Sequence, residues 1–157
     1  MRSFRFATRE DCPLILNFIK ELAEYEKMLD EVVATKELLE EWIFEKQKAE
    51  VLFVMEHNRE VGFALFFFNF SAFLGKAGLY LEDLFVRPEY RGRGHGKALL
   101  KQLAKTAIER KCGRLEWSCL DWNTESIDFY LSLGAKPLDE WTMYRAAGST
   151  LEGLAAE

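Results

Sequence analysis

Residues Leu79–Leu103 read LYLEDLFVRPEYRGRGHGKALLKQL, and this stretch decides the fold. Leu79–Val86 is an apolar run of strand length. A helix follows from about Gly96 to Lys111, with Leu99, Leu100, Leu103, Ala104, Ala107 and Ile108 along one side. Gly113 stands where a helix stop is expected. Arg114–Leu120 reads as the next strand, so strand, helix and strand predict a right-handed parallel unit.

Arg91-Gly92-Arg93-Gly94-His95-Gly96-Lys97 is wedged between that strand and that helix. Glycines at alternate positions admit φ > 0 and let a ligand approach the backbone. The helix start aims N–H groups and a positive dipole end at the same place. With Arg91, Arg93 and Lys97 adding charge, the chemistry suits a pyrophosphate, although a basic, flexible turn has the same composition. Two familiar phosphate loops are excluded. A dinucleotide G-x-G-x-x-G needs glycine where Lys97 stands, and a P-loop needs glycine at Arg91 and a hydroxyl residue at Ala98.

Outward from this stretch, Phe4–Ala7, Val51–Glu56, Val61–Phe70 and Trp141–Arg145 read as strands, and His57–Glu60 as a polar turn. Asp11, with Pro13 behind it, is a candidate cap for a helix carrying Leu14, Ile15, Phe18, Ile19, Leu22 and Tyr25. Thr35 caps a second, with Leu38, Leu39, Trp42 and Ile43. Asn123 or Thr124 opens a short helix that ends at Gly134, and the tail from Ala146 reads as frayed. The order predicts an α/β fold: one mixed central sheet flanked by helices, in a single domain over 1–157 with a core of about 4–145 and a tail of 146–157.

With 157 residues, 49% apolar, 30% charged and 13 Phe, the chain is long and greasy enough for a core without metal or disulfide. A net charge of −5 argues against a general nucleic-acid binder and suits a small cationic partner. Cys12, Cys112 and Cys119 form no C-x-x-C pair, and His57 and His95 are far apart, so no metal site is expected. No signal peptide or membrane-length apolar run is visible, which predicts a cytoplasmic protein.

Arg91-Gly92-Arg93-Gly94-His95-Gly96 matches the R/Q-x-x-G-x-G/A signature of the GNAT superfamily of N-acetyltransferases. The longer Tyr80–Val86 run with Tyr90-Arg91-Gly92 resembles that superfamily's spermidine/spermine and thialysine N-acetyltransferase branch. So do Ile19–Glu26 and Leu120-Asp121-Trp122-Asn123. The resemblance covers about Phe4 to Trp141. One departure stands out: Leu138–Tyr144 is shorter than the acidic loop those relatives carry there, which weakens transfer of a polyamine preference.

The resemblance implies acetyl transfer from acetyl-CoA to a primary amine by direct attack, the acceptor being a polyamine or a thialysine- or lysine-like amine. It implies that the backbone of Arg91, Gly92, Arg93, Gly94, His95, Gly96 and Lys97 holds the CoA pyrophosphate. The strand at Leu84, Phe85 and Val86 would splay from its neighbour to admit pantetheine. Relatives are commonly homodimers, and a homodimer is expected here.

Glu82 and Asp83 interrupt a hydrophobic strand and, by simple alternation, point to opposite faces. Each either pairs with a nearby cation or reaches a cleft, because a buried lone carboxylate is costly. The family implies that Glu82 is the base, through water, and that Asp83 helps hold the cationic amine. A base is required because an alkylamine of pKa ~10.4 is almost wholly protonated at neutral pH. Tyr130 is a core aromatic by periodicity and the acid for the departing thiolate by resemblance, with a phenol of pKa ~10 suited to that task. Asn123 is a helix cap, a CoA ligand, or both. Glu24, Glu26, Asp30, Glu31, Asp121, Asp139 and Glu140 form either an acidic rim for the acceptor, with Glu26 and Asp121 foremost, or a solvated face. A peptide or protein N-acetyltransferase and a non-catalytic acyl-CoA-binding module are the competing readings.

Overall fold

Val51, Leu52, Phe53 and Val54 are consecutive and all buried, which requires a strand covered on both faces. In the computed structural model, residues 1–156 are described. They fall into two units, Met1–Ser118 and the residues from Cys119 onward.

The first unit is a five-stranded sheet in sequence order: β1 (Arg2–Phe6), β2 (Glu50–Glu56), β3 (Arg59–Ser71), β4 (Lys76–Val86) and β5 (Leu115–Trp117). The first four strands are antiparallel, and β5 joins β4 in parallel after α3 (His95–Glu109). This is the mixed sheet and parallel unit the sequence predicts. Between β2 and β3 the turn is only two residues. His57 and Asn58 both take positive φ, 52° and 63°, as a two-residue hairpin with right-handed strand twist demands.

Helix α1 (Cys12–Tyr25) lays Ile15, Phe18 and Leu22 on one sheet face against Val51, Phe53, Phe63 and Phe85. Phe18 stacks on Phe63 with ring centroids 5.2 Å apart. The alternate residues of the strands face the other way, where α3 covers β2, β3 and β4 with Leu99, Leu100, Leu103 and Ala107. Helix α2 (Lys36–Leu39) starts at Thr35, whose hydroxyl accepts from Leu38 N at 3.1 Å, and widens into a π-helical turn over Glu40–Glu45.

Several details differ from expectation. Asp11 does not cap α1 with its carboxylate; it accepts two 2.8 Å bonds from Arg5 and one of 2.7 Å from Thr8 N. A guanidinium fork offers a charged, bidentate partner, which competes successfully with a neutral cap bond. Helix α3 ends through Lys111, at φ 62°, not through Gly113. A Cβ on Gly113 would lie 2.8 Å from the tip of the exposed Leu74 side chain, which would have to turn aside. Strand β5 spans only Leu115–Trp117 of the expected 114–120.

In the second unit, α4 (Thr124–Ser132) starts at Asn123, whose Oδ1 accepts from Ser126 N at 3.3 Å, and Gly134 follows at φ 89°. Trp141–Arg145, expected as a strand, has no regular structure. Alternating side chains make a strand only where a neighbouring edge accepts its hydrogen bonds, and the pattern alone supplies none. The tail is not frayed: Gly148–Ala156 forms α5, where Leu151, Glu152, Leu154, Ala155 and Ala156 are good helix formers.

Candidate active site

Strand β4 carries the chemistry because its two edges behave differently. On the β5 side, pairing ends at Leu81 opposite Trp117. On the β3 side the register jumps at the next residue: Leu81 faces Phe66 and Asp83 faces Leu65, leaving Glu82 as an extra, bulged residue. From Asp83 to Val86, β4 is paired only with β3, so its other edge presents backbone groups with no strand beside them. Leu84, Phe85 and Val86 therefore form an open edge, which is the geometry a pantetheine arm needs for strand-like hydrogen bonding.

The bulge also breaks the alternation that would send Glu82 and Asp83 to opposite faces. Burial pushes the Asp83 carboxyl up to about 7, and the charges of Glu82 and Glu26 push the same way. Glu26, at the C-terminal end of α1, is raised first by burial and then by Glu82. Three carboxylates thus bear on one place, and two of them hold protons more tightly than an ordinary carboxylate. Glu24, Asp30 and Glu31 are exposed.

The glycine-rich loop follows a single 3-10 turn at Pro88–Tyr90. Gly92 and Gly94 take φ of 78° and 84°, and Gly94 is the left-handed residue from which α3 starts. No backbone N–H from Gly92 to Lys97 donates to a protein acceptor among the described residues. A Cβ on Gly92 would meet nothing within 4 Å, and one on Gly96 only Leu84 at 3.8 Å. Six donors, open space and the positive end of a 15-residue helix fit a pyrophosphate.

Side chains of the loop are used differently from what the charge pattern suggests. Arg91 donates to Val86 O at 2.8 Å, its guanidinium 4.8 Å from the Tyr25 ring centroid and 5.2 Å from that of Phe85. Arg93 is ion-paired with Glu56. His95 is buried at 4% exposure, its Nε2 2.7 Å from Glu56 and its Nδ1 accepting from Arg2 Nε at 3.1 Å. Lys97 is exposed and, unlike Arg91 and Arg93, makes no side-chain hydrogen bond or ion pair among the described residues. The cradle is therefore mainly backbone.

Asp121, Asn123 and Tyr130 belong to the second unit. Asp121 is exposed, Asn123 is buried at the cap of α4, and Tyr130 is half-buried with its ring centroid 5.6 Å from that of Phe129. Among the described residues, no group of three His, Cys, Asp or Glu side chains is placed to hold a metal ion, and no helix is long and apolar enough to cross a membrane.

Sequence reasoning missed the bulge at Glu82 and the contacts of Arg2, Glu56 and Tyr25 with the loop. Glu-Asp within an apolar strand hints at the first. Nothing in the spacing signals the others, whose partners are 37 to 93 positions apart in the chain.

An open strand edge running toward a glycine-rich loop of unpaired backbone N–H groups is the geometry of a site for an elongated anionic ligand. Residues 16–135 match the model of the acetyltransferase (GNAT) family, and the chain belongs to that family. It is an acetyl-CoA-dependent amine N-acetyltransferase. It is 37% identical to the thialysine N-epsilon-acetyltransferase of Bos taurus, over 98% of this chain and 96% of that one. Over 59% of this chain and 41% of the relative, it is 45% identical to an L-ornithine N5-acetyltransferase of Arabidopsis thaliana. A solved integron cassette protein from V. cholerae superposes with a TM-score of 0.83 at 30% identity, covering 99% and 98% of the two chains.

Proposed function

We propose that this enzyme acetylates the terminal primary amine of a small cationic acceptor, a thialysine- or lysine-like amino acid ahead of a polyamine. The observation that carries the reading is the group of Glu26, Glu82 and Asp83 at the start of the open edge of β4. Burial and mutual repulsion make that negative charge expensive, and an incoming ammonium relieves it. The names of the thialysine and ornithine relatives point to acceptors that carry such a side-chain amine.

The acetyl thioester supplies the electrophile. Backbone N–H groups of Gly92–Lys97 hold the pyrophosphate, and the edge at Leu84, Phe85 and Val86 aligns the pantetheine arm. The carboxylates take the acceptor as an ammonium, then remove a proton to expose its lone pair. Glu82 is the base by family resemblance, and Asp83, near pKa 7, is the carboxyl best matched to exchange that proton at neutral pH. The neutral amine then attacks the thioester carbon; as the C–S bond breaks, Tyr130 gives its proton to the departing thiolate, and the second proton lost by the nitrogen restores the phenol. Asn123 and Asp121 are assigned to CoA and acceptor on resemblance alone.

The enzyme is further read as a cytoplasmic homodimer. Cys12, Cys112 and Cys119 are all thiols, and Trp141, Met143 and Tyr144 present exposed apolar surface in a segment without regular structure. Light scattering at twice 18.3 kDa supports the dimer, and a mass of 18.3 kDa removes it.

Thiol release from acetyl-CoA across thialysine, lysine, ornithine, spermidine and a lysine-containing peptide tests the acceptor class. Turnover with the amino acids supports the proposal. Turnover with the peptide alone selects a protein acetyltransferase, and tight CoA binding without any turnover selects a regulatory module.

A further inference from the structure

The glycine-rich loop is held from beneath by residues that no phosphate-binding motif contains. Arg2, near the start of β1, donates to Arg93 O at 2.6 Å and to His95 Nδ1 at 3.1 Å. Glu56, the last residue of β2, accepts from His95 Nε2 at 2.7 Å and pairs with the Arg93 guanidinium. A guanidinium nitrogen only donates, so Nδ1 of His95 must accept and the ring proton sits on Nε2. His95 is the first residue of α3 and its ring is buried, so these two bonds fix where the helix begins. The Glu56 carboxyl lies below its usual range, chiefly through the His95 bond.

We infer that the side chain of His95, oriented by Arg2 and Glu56, is the positioning group that sets the pyrophosphate cradle, and that its buried ring never touches the ligand. The inference rests on the reading of Gly92–Lys97 as the pyrophosphate site. Four contacts, two from Arg2 on β1 and two from Glu56 on β2, converge on loop positions 93 and 95, on either side of Gly94. With the loop fixed in this way, the N–H groups of Gly92–Lys97 are left without protein acceptors. Arg93, which the charge pattern offers to the phosphate, is part of the support instead.

The test compares two acyl donors, acetyl-CoA and S-acetylpantetheine, which shares the thioester arm but has no pyrophosphate. His95→Leu removes both bonds. His95→Gln keeps one acceptor and one donor at the end of the side chain and serves as the rescue. Arg2→Ala changes a side chain at the start of β1 without altering the buried ring. The expected result is a rise of about tenfold in KM for acetyl-CoA in His95→Leu, a smaller rise in Arg2→Ala, and near-native values in His95→Gln. The kcat at saturation and the kcat/KM for S-acetylpantetheine should stay within about twofold. Equal losses with both donors, or a His95→Gln as impaired as His95→Leu, would overturn the inference. A wild-type enzyme that does not distinguish the two donors would instead overturn the reading of the loop, and the positioning role with it.

Discussion

Leu81 is the last residue of β4 with a partner on β5, Trp117, and the very next residue, Glu82, is the bulge on the β3 side. The strand thus opens one edge and gathers its carboxylates at a single point in the chain. That coincidence is the structural basis of the proposed acceptor and pantetheine positions.

The first consequence concerns pH. Asp83 titrates near 7 in the unliganded enzyme, raised by burial and by Glu82 and Glu26. If it takes the proton of the amine, kcat/KM should fall about tenfold per unit below that pH. Asp83→Asn should lower activity by about 10²-fold or more and remove this limb. A pH–rate profile of both proteins checks it.

Stability should respond in the opposite sense. A carboxyl whose folded pKa lies above its unfolded value of 3.8 binds more protons folded than unfolded between about pH 4 and 7. Its cost to the fold therefore grows as pH rises through that window and is complete above 7. Asp83→Asn should stabilise the protein by roughly 1–3 kcal/mol at pH 8 and by little at pH 4. Urea denaturation at the two pH values reads the difference directly.

Asp11 behaves conversely. Arg5, with help from Thr8, holds its carboxyl down at about 2. Its contribution is fully present above pH 3.8 and is lost as pH falls through about 2. Asp11→Asn should cost roughly 1–3 kcal/mol at pH 7, since half of a charged pair stays behind. Thermal unfolding at pH 7 measures it.

The loop glycines separate conformational from ligand effects. Gly94→Ala places a Cβ at φ 84° and 3.3 Å from Arg2, and should cost about 1 kcal/mol of stability as well as acetyl-CoA affinity. Gly96 is not at positive φ, and its Cβ would meet only Leu84 at 3.8 Å. Gly96→Ala should leave the melting temperature unchanged, so any loss of CoA affinity must come from the ligand side. Calorimetry with CoA distinguishes the two.

Local signals made much of this architecture legible. The apolar run at Leu79–Val86, the helical stripe from Leu99 to Ala107 and the caps at Thr35 and Asn123 are written in neighbouring residues. They appear in the structure where expected. Competition from charged partners was not legible. Asp11 leaves its expected cap for Arg5, Arg93 pairs with Glu56, and His95 is buried between Glu56 and Arg2. Trp141–Arg145 failed as a strand for a related reason: alternation describes a side-chain pattern, not the presence of an edge to pair with. The glycine pattern coincides with the run of backbone N–H groups that lack protein acceptors, while two of its flanking cations, Arg91 and Arg93, make protein contacts that the charge pattern does not signal.

The most direct test of the account is thiol release from acetyl-CoA with thialysine as acceptor, comparing wild type with Glu82→Gln, Asp83→Asn and the double variant, with CoA affinity measured alongside. The account predicts turnover by the wild type, losses of about 10²–10⁴-fold in the variants, and unchanged CoA binding. Wild-type rates in the double variant would contradict it.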